Sequence, residues 1–213
     1  MPKGTFTRDI YLDSIGRSLK IHQWNEGDVG CVVWDGALVL GKYMDRMNSV
    51  GQWKSSRKAV ELGAGTGAVG LIASSFGNNV ALTDLPELLP LINKNVEENK
   101  HVLKGEVNVS SLQWGSGDEV PEDKPDLLLV SECVYYEESI EPLIQTMTHL
   151  CEPCTEVLLS YEDRDYEANA ETLAKFLEMA QKNFRIEEVP FEDLHPEFRS
   201  EDIHVLKLFP KQS

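Results

Sequence analysis

From residue 57 onward, short apolar segments typical of β-strands alternate with segments of helical spacing. Strands joined by helices lie parallel, with helices on both faces, so this alternation predicts a doubly wound α/β sheet. Two final strand segments, residues 184–189 and 203–209, have no helix between them, so we expect an antiparallel hairpin there. The whole pattern predicts a seven-stranded, mostly parallel sheet.

The N-terminal part has a different pattern. Residues 10–12 and 19–24 have strand character on either side of a turn, which predicts a small β-hairpin. Helical spacing begins near Trp34, and a later helix is expected to open at Pro86. A chain of 213 residues is the size of one domain. We therefore expect a single domain over residues 1–213, with residues 1–33 as a hairpin extension and residues 34–213 as its core.

A glycine-rich loop follows the first strand of the alternating region. The segment Glu61-Leu-Gly-Ala-Gly-Thr-Gly67 ends that strand and opens a helix. Glycine allows a left-handed backbone and the close approach of a ligand. Asp84 follows at the end of the next strand, where a carboxylate accepts hydrogen bonds from both hydroxyls of a ribose. This combination predicts a nucleoside-binding site.

Two cofactors contain such a nucleoside. The segment Gly65-Thr-Gly-Ala-Val-Gly70 matches the dinucleotide fingerprint, so a nicotinamide oxidoreductase stays open as an alternative. However, Glu61 lies on the strand just before the glycines, where a carboxylate opposes a pyrophosphate and suits a cationic amino acid. The chain also contains no Tyr-x-x-x-Lys pair. These features favour S-adenosyl-L-methionine, which combines an adenosine with an amino group and has no phosphate.

The charge of the chain limits its partners. It contains 20 basic and 36 acidic residues, a net charge of −16. This excess opposes nucleic acids and anionic membranes, and it suits a cationic partner such as a lysine-bearing protein segment. No apolar run approaches the length of a membrane span, so we expect a soluble, cytoplasmic protein. Cys151-Glu-Pro-Cys154 lies after a helix with no second pair, so we expect no metal site and no redox function.

Several segments together resemble one enzyme family. The glycine loop with Asp84 resembles the cofactor motif of seven-β-strand (class I) methyltransferases. Glu132 and Tyr135 follow a buried strand and resemble the acid-x-x-Tyr motif of the protein-lysine branch of that family. Residues 29–35 and 198–204 are similar to those of the branch members that methylate valosin-containing protein, a hexameric AAA-type ATPase also called p97.

The resemblance implies a role for each matching residue. Glu132 and Tyr135 are the implied catalytic residues, although the most similar branch members tend to carry aspartate in place of Glu132. The implied cofactor-binding residues are Trp34, Glu61, Gly63, Ala64, Gly65, Asp84, Trp114 and Ser131.

The resemblance also implies a Rossmann-like class I methyltransferase fold, with residues 34–213 as its catalytic core. The implied activity is S-adenosyl-L-methionine-dependent protein-lysine N-methylation of a folded AAA ATPase or chaperone-type protein, by a monomer. Two alternatives stay open. One is a chaperone-binding module that keeps the fold without activity, and the other is a small-molecule N-methyltransferase.

Overall fold

Nine β-strands and five α-helices form within residues 4–27, 29–116, 124–164 and 167–211, which the computed structural model describes. The strands are β1 (Thr5–Leu12), β2 (Arg17–Trp24), β3 (Lys58–Leu62), β4 (Asn79–Asp84), β5 (Val107–Ser111), β6 (Leu127–Ser131), β7 (Glu156–Glu162), β8 (Phe184–Glu188) and β9 (Ile203–Pro210). The helices are α1 (Asp35–Ser49), α2 (Ala68–Ser75), α3 (Leu89–Asn99), α4 (Glu137–Leu150) and α5 (Glu167–Asn183). Short 3₁₀ turns form at Val29–Cys31 and Phe191–Asp193.

Seven strands form one mixed sheet in the order β5-β4-β3-β6-β7-β9-β8. The strands from β5 to β7 pair in parallel, whereas β9 pairs antiparallel with both β7 and β8. The predicted seven-stranded sheet and its terminal antiparallel pair are confirmed. Strands β3 and β6 are neighbours from which the chain turns in opposite directions. This is the switch point at which open α/β sheets bind ligands.

The N-terminal hairpin, β1 with β2, is a separate two-stranded sheet, as predicted. It packs with α1, α2 and α3 on one face of the large sheet, while α4 and α5 cover the other face. Two buried amides of α3 hold the hairpin. The Asn95 side chain exchanges hydrogen bonds with the backbone of His22, and Asn99 does the same with Lys20. The predicted extension, residues 1–33, includes residues 1–3 and 28, which lie outside the described residues.

One predicted helix start is wrong. Pro86 lies in a turn closed by the Leu88 amide, which donates to the Leu85 carbonyl at 3.0 Å. Helix α3 begins only at Leu89, and Pro90 stands in its first turn. A proline suits that position because the amides of a first helical turn have no partner within the helix. In the described part of the chain, no helix is both long and apolar enough to cross a bilayer.

Candidate active site

A cavity of about 500 Å³ lies at the carboxyl edge of the large sheet, across the switch point. Its volume is in the usual range for small-molecule and cofactor sites. All ten site residues named from the sequence line this one cavity, which brings together side chains from five strand ends and from the start of α1. They are Trp34, Glu61, Gly63, Ala64, Gly65, Asp84, Trp114, Ser131, Glu132 and Tyr135. Their individual roles stay predictions.

The glycine loop connects β3 to α2 and has a left-handed backbone at Gly63 (φ 61°) and Gly65 (φ 56°). Neither position has room for a side chain. A Cβ at Gly63 would lie 2.9 Å from a ring carbon of Trp114, and one at Gly65 would lie 2.8 Å from the Gly30 carbonyl oxygen. Glycine is therefore required at both positions for two reasons: the backbone conformation and the lack of room for a Cβ atom.

Asp84 ends β4 beside this loop. One carboxylate oxygen accepts a hydrogen bond from the Gly65 amide and the other from the Leu85 amide, both at 2.7 Å. These two bonds fix the plane of the carboxylate. A carboxylate is an acceptor with about four lone-pair sites, which is the chemistry that two ribose hydroxyls require.

Glu61 is the buried acid of the site, with only 2 % of its surface exposed. Its Oε2 accepts a hydrogen bond from the Gly70 amide, at 2.9 Å, in the first turn of α2. The pKa of this carboxyl is raised from 4.5 to about 8, chiefly by burial; the Gly70 hydrogen bond opposes the rise, and the negative charge of Asp84 adds to it. A cationic ligand group in the cavity would supply the positive charge that favours ionisation.

Two tryptophans, Trp34 and Trp114, line the cavity. The Trp34 indole N–H donates to the Val29 carbonyl at 2.8 Å, which holds the ring against the 3₁₀ turn before α1. Trp114 lies against Gly63 from the segment after β5. At the end of β6, the Ser131 hydroxyl contacts the Ser160 hydroxyl at 3.0 Å.

Glu132 is the residue with the most unusual environment. It follows β6 directly and has a left-handed backbone, with φ at 54°, which is rare for a residue other than glycine and is typical of functional sites. Its side chain is about nine-tenths buried. Oε2 lies 3.3 Å from Nη2 of Arg164, whereas Oε1 is buried with no hydrogen-bond partner among the described residues.

The electrostatics of Glu132 follow from that burial. Burial raises the pKa of the Glu132 carboxyl to about 7, while the Arg164 guanidinium lowers it. Glu162 and Asp35 raise it by their negative charge. A carboxyl whose pKa lies near neutrality takes up and releases protons easily at cellular pH. Tyr135 lines the same end of the cavity, and its ring lies 4.5 Å from that of the exposed Tyr136.

Two residues that the sequence did not single out lie against the Glu132 side chain. Arg164 follows β7, bonds Glu162 at 3.0 Å, and places its guanidinium 4.9 Å from the centre of the Trp34 ring. Gly36 lies in the first turn of α1, against the Glu132 side chain. Arg164 had one sequence signal, its position just past the end of a parallel strand. Gly36 had none beyond its place next to Trp34 and Asp35.

The thiols of Cys133 and Cys151 are shielded from solvent. Burial raises the pKa of Cys151 to about 12 and that of Cys133 well above its usual value, so neither thiol ionises readily. Across the described ranges, no group of three or more His, Cys, Asp or Glu side chains is arranged to hold a metal ion.

Comparisons with known proteins identify the family of this chain. A family model described as lysine methyltransferase matches residues 14–183. The protein N-lysine methyltransferase METTL21A of Danio rerio is 36 % identical over 194 residues, which cover 89 % of this chain and 82 % of that protein. EEF1A lysine methyltransferase 3 of Xenopus tropicalis is 36 % identical over 162 residues, covering 75 % and 70 % of the two chains.

A solved structure supports the fold alone. It is a TehB-like SAM-dependent methyltransferase from Corynebacterium glutamicum, with a TM-score of 0.60 at 19 % identity, and the match covers 85 % of this chain and 90 % of that one. The family model, by contrast, spans most of this chain, including the glycine loop, Asp84 and Glu132. The chain therefore belongs to the lysine methyltransferase family.

Proposed function

We propose that this protein methylates a lysine of a folded AAA-type ATPase, using S-adenosyl-L-methionine and the Glu132 carboxylate. The observation that carries the proposal is the buried Oε1 of Glu132, which has no hydrogen-bond partner among the described residues. Glu132 lines the same cavity as the glycine loop and Asp84. An acceptor buried without a partner is costly, and an amine donor from a substrate lysine would relieve that cost.

The cofactor of this enzyme is S-adenosyl-L-methionine, and the residues of the cavity fit it. Asp84 would hold the ribose hydroxyls, and Gly63 to Gly65 leave the backbone open to close approach. The buried Glu61 would meet the amino group of the methionyl part, directly or through water. Trp114 would flank the adenine. When bound, the cofactor supplies a methyl group on a positively charged sulfur.

The protein's task is to present a neutral lysine amine. A free lysine has a pKa near 10.4, so only about one in 10³ is neutral near pH 7.4, a cost of roughly 4 kcal/mol. Glu132 would accept a hydrogen bond from the amine through Oε1 and orient its lone pair. Because the pKa of Glu132 is raised to about 7, the same carboxylate is suited to take up the amine proton. Tyr135 would wall the channel beside the lysine side chain.

Charge and resemblance support the substrate class. Asp35, Glu138 and Glu162 lie at or near the cavity, and the whole chain carries a net charge of −16, which suits a basic protein segment. The segments at residues 29–35 and 198–204 resemble those of enzymes that methylate valosin-containing protein. One relative is named for EEF1A, so EEF1A is the second candidate substrate.

The proposal is tested by methyl labelling. The purified protein is incubated with methyl-labelled S-adenosyl-L-methionine and a cell lysate, next to Glu132→Gln and Glu106→Gln. Glu106 is an exposed glutamate on the far side of the fold from the cavity and serves as the control. We expect a labelled band that contains methyl-lysine, co-migrates with valosin-containing protein, and is absent with Glu132→Gln alone.

Other outcomes redirect or overturn the proposal. A labelled band that co-migrates with EEF1A would identify the second candidate as the substrate. Label in small molecules instead of protein contradicts the protein substrate. Full labelling by Glu132→Gln contradicts the role of Glu132. The monomeric state and the cytoplasmic location expected from the sequence stay predictions, and light scattering of the purified protein tests the first.

A further inference from the structure

The start of helix α1 packs directly on the Glu132 side chain. Gly36 is buried in the first turn of α1. A Cβ built on Gly36 would lie only 1.8 Å from Oε1 of Glu132, 2.8 Å from its Cδ and 3.2 Å from its Cγ. The carboxylate therefore occupies the space that the side chain of any other residue at position 36 would fill.

The backbone does not explain the glycine. Gly36 is absent from the residues of the described chain that have a positive φ, and its helical conformation is open to amino acids other than glycine. Glycine is in addition a poor helix former, so alanine would be favoured here if space were the same. The feature that requires glycine is the Glu132 carboxylate.

The length of the acid sets this requirement. Glutamate carries its carboxylate one carbon–carbon bond, about 1.5 Å, farther from the backbone than aspartate. A shorter acid at position 132 would leave room for a methyl group at position 36. A glutamate with alanine at position 36 has to bend its carboxylate away from α1. That movement is cheap for folding, because only the end of a flexible side chain shifts, but it changes where the carboxylate points.

We propose that Gly36 is a positioning residue. Its lack of a side chain leaves the space that the Glu132 carboxylate occupies and so fixes where that carboxylate lies. Residues 36 and 132 are therefore matched in size. This inference rests on the proposed role of Glu132. Gly36 itself touches no substrate in this scheme. Its effect on methyl transfer passes entirely through Glu132.

The test is a double-mutant cycle of Gly36→Ala, Glu132→Asp and the double variant, measured as the rate of methyl incorporation into lysate protein. A carboxylate displaced by about 1 Å costs up to 10²-fold in rate, so we expect a loss of that order from Gly36→Ala with unchanged cofactor affinity. In the Glu132→Asp background the same alanine should cost nothing. If alanine costs the same factor in both backgrounds, or nothing in the native one, the inference is wrong.

Gly41→Ala is the matched control. Gly41 is a second buried glycine of α1, and a Cβ there would meet the end of Ile72 at 2.4 Å instead of a carboxylate. It therefore reproduces the crowding within α1, and its melting temperature reports that crowding. We expect Gly41→Ala to keep the native rate per folded molecule. An equal loss from both glycine variants would mean that general crowding, and not Glu132, is the cause.

A second measurement does not depend on activity. Carboxyl titration of ¹³C-labelled glutamate by NMR should show a changed midpoint for Glu132 in Gly36→Ala and the native midpoint in Gly41→Ala. An unchanged midpoint in Gly36→Ala would overturn the inference. If Glu132→Gln keeps its activity while Gly36→Ala shifts the titration, then the proposed role of Glu132 fails and the size match stands.

Discussion

The buried Glu61 carboxyl predicts an unusual dependence of stability on pH. Without cofactor, the pKa of Glu61 in the folded protein is raised from 4.5 to about 8. A carboxyl raised in this way contributes stability below its unfolded pKa, and this contribution is lost as the pH rises through the folded pKa. A pKa difference of one between the folded and unfolded states corresponds to about 1.4 kcal/mol. The rise from 4.5 to about 8 therefore lowers the free energy of unfolding by up to about 5 kcal/mol once the pH exceeds 8.

Glu61→Gln isolates this effect. Glutamine keeps the size of the side chain and an oxygen that can accept the Gly70 hydrogen bond, but it never ionises. Relative to the native protein, we expect the free energy of unfolding of Glu61→Gln to gain about 3.5 kcal/mol between pH 5 and pH 8. Denaturant unfolding followed by tryptophan fluorescence measures this difference at each pH.

Glu106→Gln is the control, because it makes the same chemical change at an exposed glutamate that does not line the cavity. Its difference from the native protein should stay constant over the same range. The reasoning would be refuted if the difference in free energy of unfolding between Glu61→Gln and the native protein were equally independent of pH, or if Glu61→Gln gained stability toward acid pH. Glu61 would then be ionised in the folded protein, with a partner for its charge.

Three further predictions concern the same cavity. If the cofactor amino group pairs with Glu61, cofactor binding at pH 7 releases a proton, and calorimetry in buffers of different ionisation enthalpy should detect the release in the native protein but not in Glu61→Gln. Arg164→Gln removes the charge that lowers the pKa of Glu132, so the pH midpoint of methyl transfer should move upward, and an unmoved midpoint would exclude this coupling. Gly63→Ala combines a strained φ with a contact at 2.9 Å from Trp114, so equilibrium dialysis should show cofactor affinity reduced by tenfold or more, about 1.4 kcal/mol. Native affinity would contradict the proposed role of the glycine loop in cofactor binding.

The sequence was sufficient to predict which residues meet at the carboxyl edge. Glu61, Asp84 and Glu132 each lie at or next to a strand end, and parallel strands bring their carboxyl ends to one edge. Once the alternation of strands and helices is recognised, their meeting follows from topology alone. The same reasoning places the glycine loop beside them, because a strand-to-helix connection of that kind has to turn sharply.

The contacts between side chains could not be predicted in this way. The stacking of Arg164 on Trp34 depends on the angle at which α1 approaches the sheet, and that angle is set by packing across many residues. The fit of Glu132 into the space at Gly36 depends on differences of one bond length. The helix start predicted at Pro86 was wrong for a local reason, because proline is as suitable in a turn as at the start of a helix.

The position of β9 between β7 and β8 has a consequence for how the protein folds. β8 precedes β9 in the chain, but β8 cannot join the sheet before β9 does, because β9 pairs with both β7 and β8 and lies between them. Until β9 inserts, β7 is an open edge with unpaired backbone amides and carbonyls, which is a template for aggregation. We therefore expect the insertion of β9 to be a late step in folding, and chains arrested before that step to depend on chaperones.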